Sequence, residues 1–322
     1  MATELMLEKW SGKIATVTIG ATKEEGGTRS HAIRIGGEES LPFLFKEGAV
    51  PNKPQISFEI WDIAPTDWPD ELNKVYGSCY KDPLLWAKTC VEKYKAQSLC
   101  VRLQGAHADF GNKTPEQEAS FIKDLLKAVA VPLIIIGCGD DAKDNQVLTA
   151  CSEAAKGQRC LFGSVVQDNY KTLVAAVSAD GHNIIAESPI DINIAKQLNI
   201  LISYMGLPLE RIVINPTIGA LGYGLEYAYS IMERARLAAL SGDKTVASPF
   251  ICFVGQESWR AKEAKVAVNE YPSWGAQAER GIIWETLTAV ALLQSGGDLL
   301  VMRHPSAIEK VNKYIDNLMS KG

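Results

Sequence analysis

Between Gln55 and its last residues the chain repeats one pattern eight times: a short apolar run, a few small or polar residues, then a stretch of helical spacing. The runs are QISFEIWD from Gln55, SLCVRLQG from Ser98, PLIIIGCG from Pro132, CLFGSVV from Cys160, NIIAES from Asn183, RIVINPT from Arg211, PFICFVG from Pro249 and GDLLVMRHP from Gly297. A strand followed by a right-handed helical crossover returns parallel to the first strand, and eight such units can close on themselves. The competing open, doubly wound sheet usually carries a glycine-rich turn after its first strand, whereas here the first run leads into DIAPTDWPDEL. The pattern therefore predicts an α/β fold, a (β/α)8 TIM barrel over 55–322. Residues 1–54 form an extension in which IATVTIG and HAIRIGG read as a β-hairpin plugging or flanking the N-terminal end of the barrel.

Helix starts support the alternation. Asp82-Pro83, Thr114-Pro115 and Ser188-Pro189 each place a capping oxygen before a proline, whose fixed φ suits the first helical position and whose missing N–H leaves nothing unsatisfied. Thr114 with Gln117 forms a capping box. Phe121, Leu125 and Val129 follow at helical spacing, as do Ile194, Leu198, Leu201 and Met205 before Gly206 and Pro208 end that helix.

Composition removes several classes of function. A net charge of −5 leaves no basic stripe to neutralise phosphates, so no nucleic-acid partner is expected. No window approaches ~18 consecutive apolar residues, and MATELMLEKWSGK lacks the order of a secretory signal, so a cytoplasmic protein with no membrane partner is expected. The cysteines at 79, 90, 100, 138, 151, 160 and 252 include no Cys-x-x-Cys pair. Iron–sulfur and structural zinc sites need thiolates that converge, so these read as reduced, mostly packed residues.

Chemistry in such barrels sits at the C-terminal strand ends. The polar residues there are Asp62, Gln104, His107, Asp109, Cys138, Asp140, Gln167, Glu187, Ser188, Asn215, Thr217, Gln256, Glu257, Arg303 and His304. Ser188 and Asp168 read as helix caps, and His304 before Pro305 as another helix start. No run contains a lysine, which removes the Schiff-base aldolases. The carboxylates are scattered for a divalent metal, and one glycine in VGQESW is a poor match to a phosphate loop. Alternation along the first two runs places Glu59 and Arg102 inside the barrel, where a charge must be paired, so a structural buried ion pair is predicted. Two mouth loops stand out. IGALGYGLEYAYS offers Gly219, Gly222 and Gly224 with Tyr223, Tyr227 and Tyr229, and the long segment after the seventh run carries Trp259, Tyr271, Trp274 and Trp284. Such aromatics bind a broad, flat object or a protein surface, or else they tuck into the rim as core.

The segments VTIGATKEEGGTRSHAIRIGGEESLPF, FEIWDIAP, DWPDELNKVYG, VRLQGAHAD, IIGCGD and INPTIGALGYGLEYAYSIMER resemble the small, or delta, subunits of the corrinoid iron–sulfur protein of the acetyl-CoA (Wood–Ljungdahl) pathway, over nearly the whole chain. The resemblance implies a barrel akin to pterin-binding barrels, paired with a larger subunit that carries both the corrinoid-binding domain and a 4Fe-4S cluster. It implies a corrinoid (cobalamin) at the interface, methylated from methyltetrahydrofolate by a separate methyltransferase and demethylated by acetyl-CoA synthase. This chain is then a scaffold without independent catalysis, capping the corrin and holding no metal itself. By position at strand ends alone, Asp62, Gln104, Cys138, Asn215, Thr217, Gly219 and Arg303 are expected nearest the corrin. Two alternatives stand beside it: a pterin-binding methyltransferase using Asp62, Asp140 and Asn215, and a purely structural subunit.

Overall fold

The computed structural model describes residues 6–322; the first five residues of the 1–54 extension lie outside the described residues. The extension supplies β1 (Thr16–Ile19) and β2 (Ile33–Gly36), which pair antiparallel with Ile19 opposite Ile33. Then come β3 (Gln55–Trp61), β4 (Leu99–Arg102), β5 (Leu133–Ile136), β6 (Leu161–Val165), β7 (Asn183–Glu187), β8 (Ile212–Asn215), β9 (Phe250–Cys252) and β10 (Gly297–Met302). These eight are parallel and close into a barrel in chain order, β10 pairing back onto β3. Each coincides with one of the eight apolar runs.

The period of two along each strand sorts side chains to opposite faces. Ile56, Phe58, Ile60, Leu99, Val101 and Ile135 pack with helical residues such as Trp86, Ile122 and Val311 in the outer core. Cys100, Ile134, Ile136, Leu161, Ile185, Val213, Ile251, Leu299 and Val301 face inward, in one cluster with Val17, Ile19, Ile33 and Ile35 of the hairpin. The hairpin thus stoppers the barrel at the end opposite the C-terminal strand ends. Asn183, at the start of β7, fastens it there by donating from Nδ2 to the Thr18 carbonyl at 2.8 Å.

Two of the proline starts behave as expected. The Asp82 carboxylate accepts from Leu84 N and Leu85 N at 3.0 and 3.2 Å before the helix Pro83–Glu92. Thr114 and Gln117 cap each other reciprocally before the helix Pro115–Ala128. Ser188-Pro189 does not open its helix. Ile190 takes a left-handed φ of 45°, so the chain turns once more and Asp191 caps the helix Ile192–Tyr204, accepting from Asn193 N at 2.7 Å. Nor does Asp168 cap the helix Tyr170–Asp180: Asn169 precedes it and accepts from Val166 N at 2.8 Å. The buried stripe of the Ile192–Tyr204 helix runs through Ala195, Leu198, Asn199 and Ile202, with Asn199 taking a core position and donating from Nδ2 to the Thr245 carbonyl at 2.9 Å. Met205 is left exposed. Among the described residues no helix is long and apolar enough to cross a membrane.

Candidate functional site

Near the mouth, the barrel interior holds a charged knot. Glu59 on β3 accepts from Arg303 Nε and a second Arg303 nitrogen, both at 2.9 Å, from Arg102 Nε at 3.2 Å and from Trp61 Nε1 at 2.8 Å. Burial alone would push this carboxyl up, but the guanidinium groups of Arg303 and Arg102 outweigh it and bring it down to about 2. The predicted Glu59–Arg102 pair is present, and Arg303 makes it a triad. Arg102 also donates to Gln256 Oε1. Arg303 lies over the Trp68 ring at 4.5 Å, and Glu285 holds its backbone by accepting from Arg303 N and His304 N.

At the C-terminal strand ends opens a cavity of about 250 Å³. Arg102 and Ile136 come from β4 and β5, Ser164 from β6, Glu187 from β7 and Asn215 from β8. Gly137, Gly139, Asp141, Asp144, Val166, Thr217, Ile218, Phe253, Gln256 and Glu257 from the loops and helices that follow the strands complete its lining. Asn215 is the pivot: its Nδ2 donates to Glu187 Oε2 at 3.0 Å and its Oδ1 accepts from Thr217 N at 3.1 Å.

Of the seven residues expected nearest a ligand, Asn215 and Thr217 line this cavity. The other five are not among its lining residues. Asp62 accepts from Gly105 N at 2.9 Å and from Lys113 Nζ at 2.6 Å, anchoring the loop after β4 that contains Gln104. The ammonium of Lys113 also lies 3.7 Å from the buried Glu118, whose carboxyl burial and the neighbouring Asp62 push up to about 8. Cys138 donates from Sγ to Asp144 at 3.2 Å, and burial followed by that carboxylate pushes its thiol up to about 12, so it is no ready nucleophile. Arg303 is spent on Glu59. Gly219 approaches its own chain, since a Cβ there would lie 2.3 Å from the Tyr223 carbonyl. Asp140, considered for a pterin, caps the helix Asp141–Ala154 by accepting from Lys143 N.

Sequence reasoning missed Asp144 and Ser164. Asp144 lies in the first turn of a helix whose start faces the mouth, and Gly137 is the signal that could have found it. A Cβ there would fall 2.2 Å from the Asp144 carboxyl, so the glycine exists to admit that side chain. The aromatic segments divide. Trp259 is core, stacked on His304 with its Nε1 donating to Glu285 at 2.9 Å, and Trp284 ties down the Leu221 carbonyl. Tyr271 and Trp274 stack at 4.3 Å beneath Lys262, while Tyr223 and Tyr227 stay exposed. Among the described residues no three His, Cys, Asp or Glu side chains converge to hold a metal.

A fold of this shape recurs in dihydropteroate synthases. The Xanthomonas albilineans enzyme in complex with 7,8-dihydropteroate superposes with a TM-score of 0.56 at 12% identity, covering 86% of this chain and 98% of that one. The Yersinia pestis enzyme with a sulfonamide drug complex gives 0.55 at 11% identity, covering 84% and 95%. At such identities the likeness is one of fold. Sequence comparison goes further. The acetyl-CoA decarbonylase/synthase complex subunit delta of Methanocaldococcus jannaschii is 35% identical over 316 residues, 98% of this chain and 76% of that one. Its counterpart from Methanosarcina mazei is 33% identical over 317 residues, covering 97% and 72%. A family model described as CO dehydrogenase/acetyl-CoA synthase delta subunit matches residues 16–314, and with relatives this similar along nearly its whole length the chain belongs to that family.

Proposed function

We propose that this chain is the small subunit of a heterodimeric methyl carrier, its barrel mouth capping a corrinoid held mainly by a larger subunit that also carries the 4Fe-4S cluster. In that role it serves methyl transfer from methyltetrahydrofolate, through a methyltransferase, to acetyl-CoA synthase. The observation that carries the reading is the mouth cavity itself. It is polar and at about 250 Å³ far smaller than a corrin macrocycle, while the nearby Asp62, Cys138 and Arg303 are already engaged within the chain. A site built this way suits a ligand laid across it better than a substrate enclosed within it.

The bound corrinoid would supply the cobalt that carries the methyl group. The chain's own residues then bind, orient and exclude water. Tyr223 and Tyr227 offer flat amphipathic surface at the rim, and Asn215, Glu187 and Thr217 offer hydrogen bonds from below. The Arg102–Glu59–Arg303 knot keeps the base of the mouth rigid, which favours a fixed orientation over adaptation.

Titrating the purified chain with methyltetrahydrofolate and with a corrinoid, alone and with the large subunit, tests this. The expected result is no tight folate binding and corrinoid affinity of the large subunit that rises when this chain is added. Tight folate binding by the chain alone would make it a pterin-binding methyltransferase instead. An unchanged corrinoid affinity would leave a purely structural subunit.

A further inference from the structure

Thr217 combines two costs. It is β-branched yet held at a left-handed φ of 57°, and its hydroxyl oxygen is buried with no hydrogen-bond partner. Strain and an orphan polar atom on one cavity-lining residue point to a ligand contact. What surrounds Thr217 defines the chemistry. Asn215 is 4% exposed and uses its amide to hold both neighbours, accepting from Thr217 N and donating to Glu187 Oε2. That fixes Glu187 and leaves its Oε1 without a protein donor among the described residues. Two adjacent strand ends thus present a hydroxyl free to donate and a carboxylate oxygen free to accept.

We propose that Thr217 and Glu187, locked by Asn215, form a clamp for a primary carboxamide entering the mouth cavity. The carbonyl of such a group accepts from the Thr217 hydroxyl, and its NH2 donates to Glu187 Oε1. A carboxylate would meet the charge of Glu187, and an ester has no N–H to give. The assignment rests on the corrin-capping reading, since a corrin carries acetamide and propionamide arms around a ring too broad for the cavity. One arm fits where the ring does not. The clamp therefore selects corrinoids by their amides and fixes the rotation of the ring over the barrel.

The test uses the reconstituted complex with its corrinoid-bearing subunit, titrated with cobinamide, whose arms are amides, and with heptamethyl cobyrinate, whose arms are esters. Thr217→Val is expected to weaken cobinamide binding about tenfold, the worth of one good hydrogen bond, and to leave the ester, whose alkoxy oxygen the Glu187 carboxylate repels from the clamp, within about twofold. Thr217→Ser keeps cobinamide affinity. Thr217→Gly loses it while raising the melting temperature, because the left-handed strain is relieved, so weak binding cannot be put down to misfolding. Equal losses for both corrinoids on Thr217→Val would overturn the clamp. Weaker association of the two subunits without any corrinoid would give the cavity to an amide side chain of the partner and also overturn the corrin assignment. If adding this chain changes neither corrinoid's affinity, the capping reading falls, and the clamp with it.

Discussion

Glu59 shows how much of the interior a single residue can decide. It is fully buried between two guanidinium groups and an indole N–H, so removing its charge strands two cations in the barrel. Glu59→Gln is expected to cost about 3–5 kcal/mol, measured by denaturant unfolding. A loss below about 1 kcal/mol would mean the guanidinium groups find solvent. Half of this knot was legible in the sequence. Glu59 and Arg102 could be placed inside by strand alternation because their strands are neighbours in the chain. Arg303 lies 244 residues from Glu59, and only closure of the barrel brings β10 beside β3. Local pattern carries no information about that meeting. Asn215 and Thr217 were readable as strand-end residues, whereas the left-handed turn at Thr217 was not, since nothing in the composition of NPTIG demands it.

At the scale of elements, the hairpin's role turns on burial. Val17, Ile19, Ile33 and Ile35 are at most 5% exposed and share the inner cluster with seven of the eight barrel strands. Ile35→Ala should therefore behave as a core truncation and lose about 2–5 kcal/mol in a urea titration. A hairpin merely resting against the barrel would lose far less. Helix starts give a finer comparison. Asp82→Ala removes two backbone hydrogen bonds and should cost about 1 kcal/mol, while Ser188→Ala, at a residue that caps nothing, should be close to neutral. The two look alike in sequence, a polar residue before proline. They differ because Ile190 leaves helical geometry after Pro189, a choice made by the packing of the β7 loop and not by the dipeptide.

For the molecule as a whole, buried histidines and buried carboxyls oppose each other in pH. His182 accepts from Cys160 N at Nδ1 and meets the Ser152 carbonyl at Nε2, so it must be neutral. Burial brings it, and likewise His304, down to about 4. With folded values below unfolded ones, their stabilisation is full above pH ~6.5 and is lost as pH falls through about 4. Glu118 and Glu285 run the other way: burial raises them to about 8 and about 7, so their contribution is full below pH ~4.5 and is lost as pH rises through those values. Melting temperature against pH should therefore decline from about 6.5 towards 8, where the histidines no longer titrate and the raised carboxyls still do. In Glu118→Gln the decline should shrink; an unchanged alkaline limb would show that Glu118 is not its source.

The stoppered end of the barrel has a kinetic consequence. The inward side chains packed onto the hairpin fill the barrel below the mouth, so whatever enters the mouth and the water it displaces must share a single doorway. Two ligands cannot pass one another in it, and departure of the first must precede arrival of the second. Such a geometry imposes turn-taking on ligands of the cavity without any moving part.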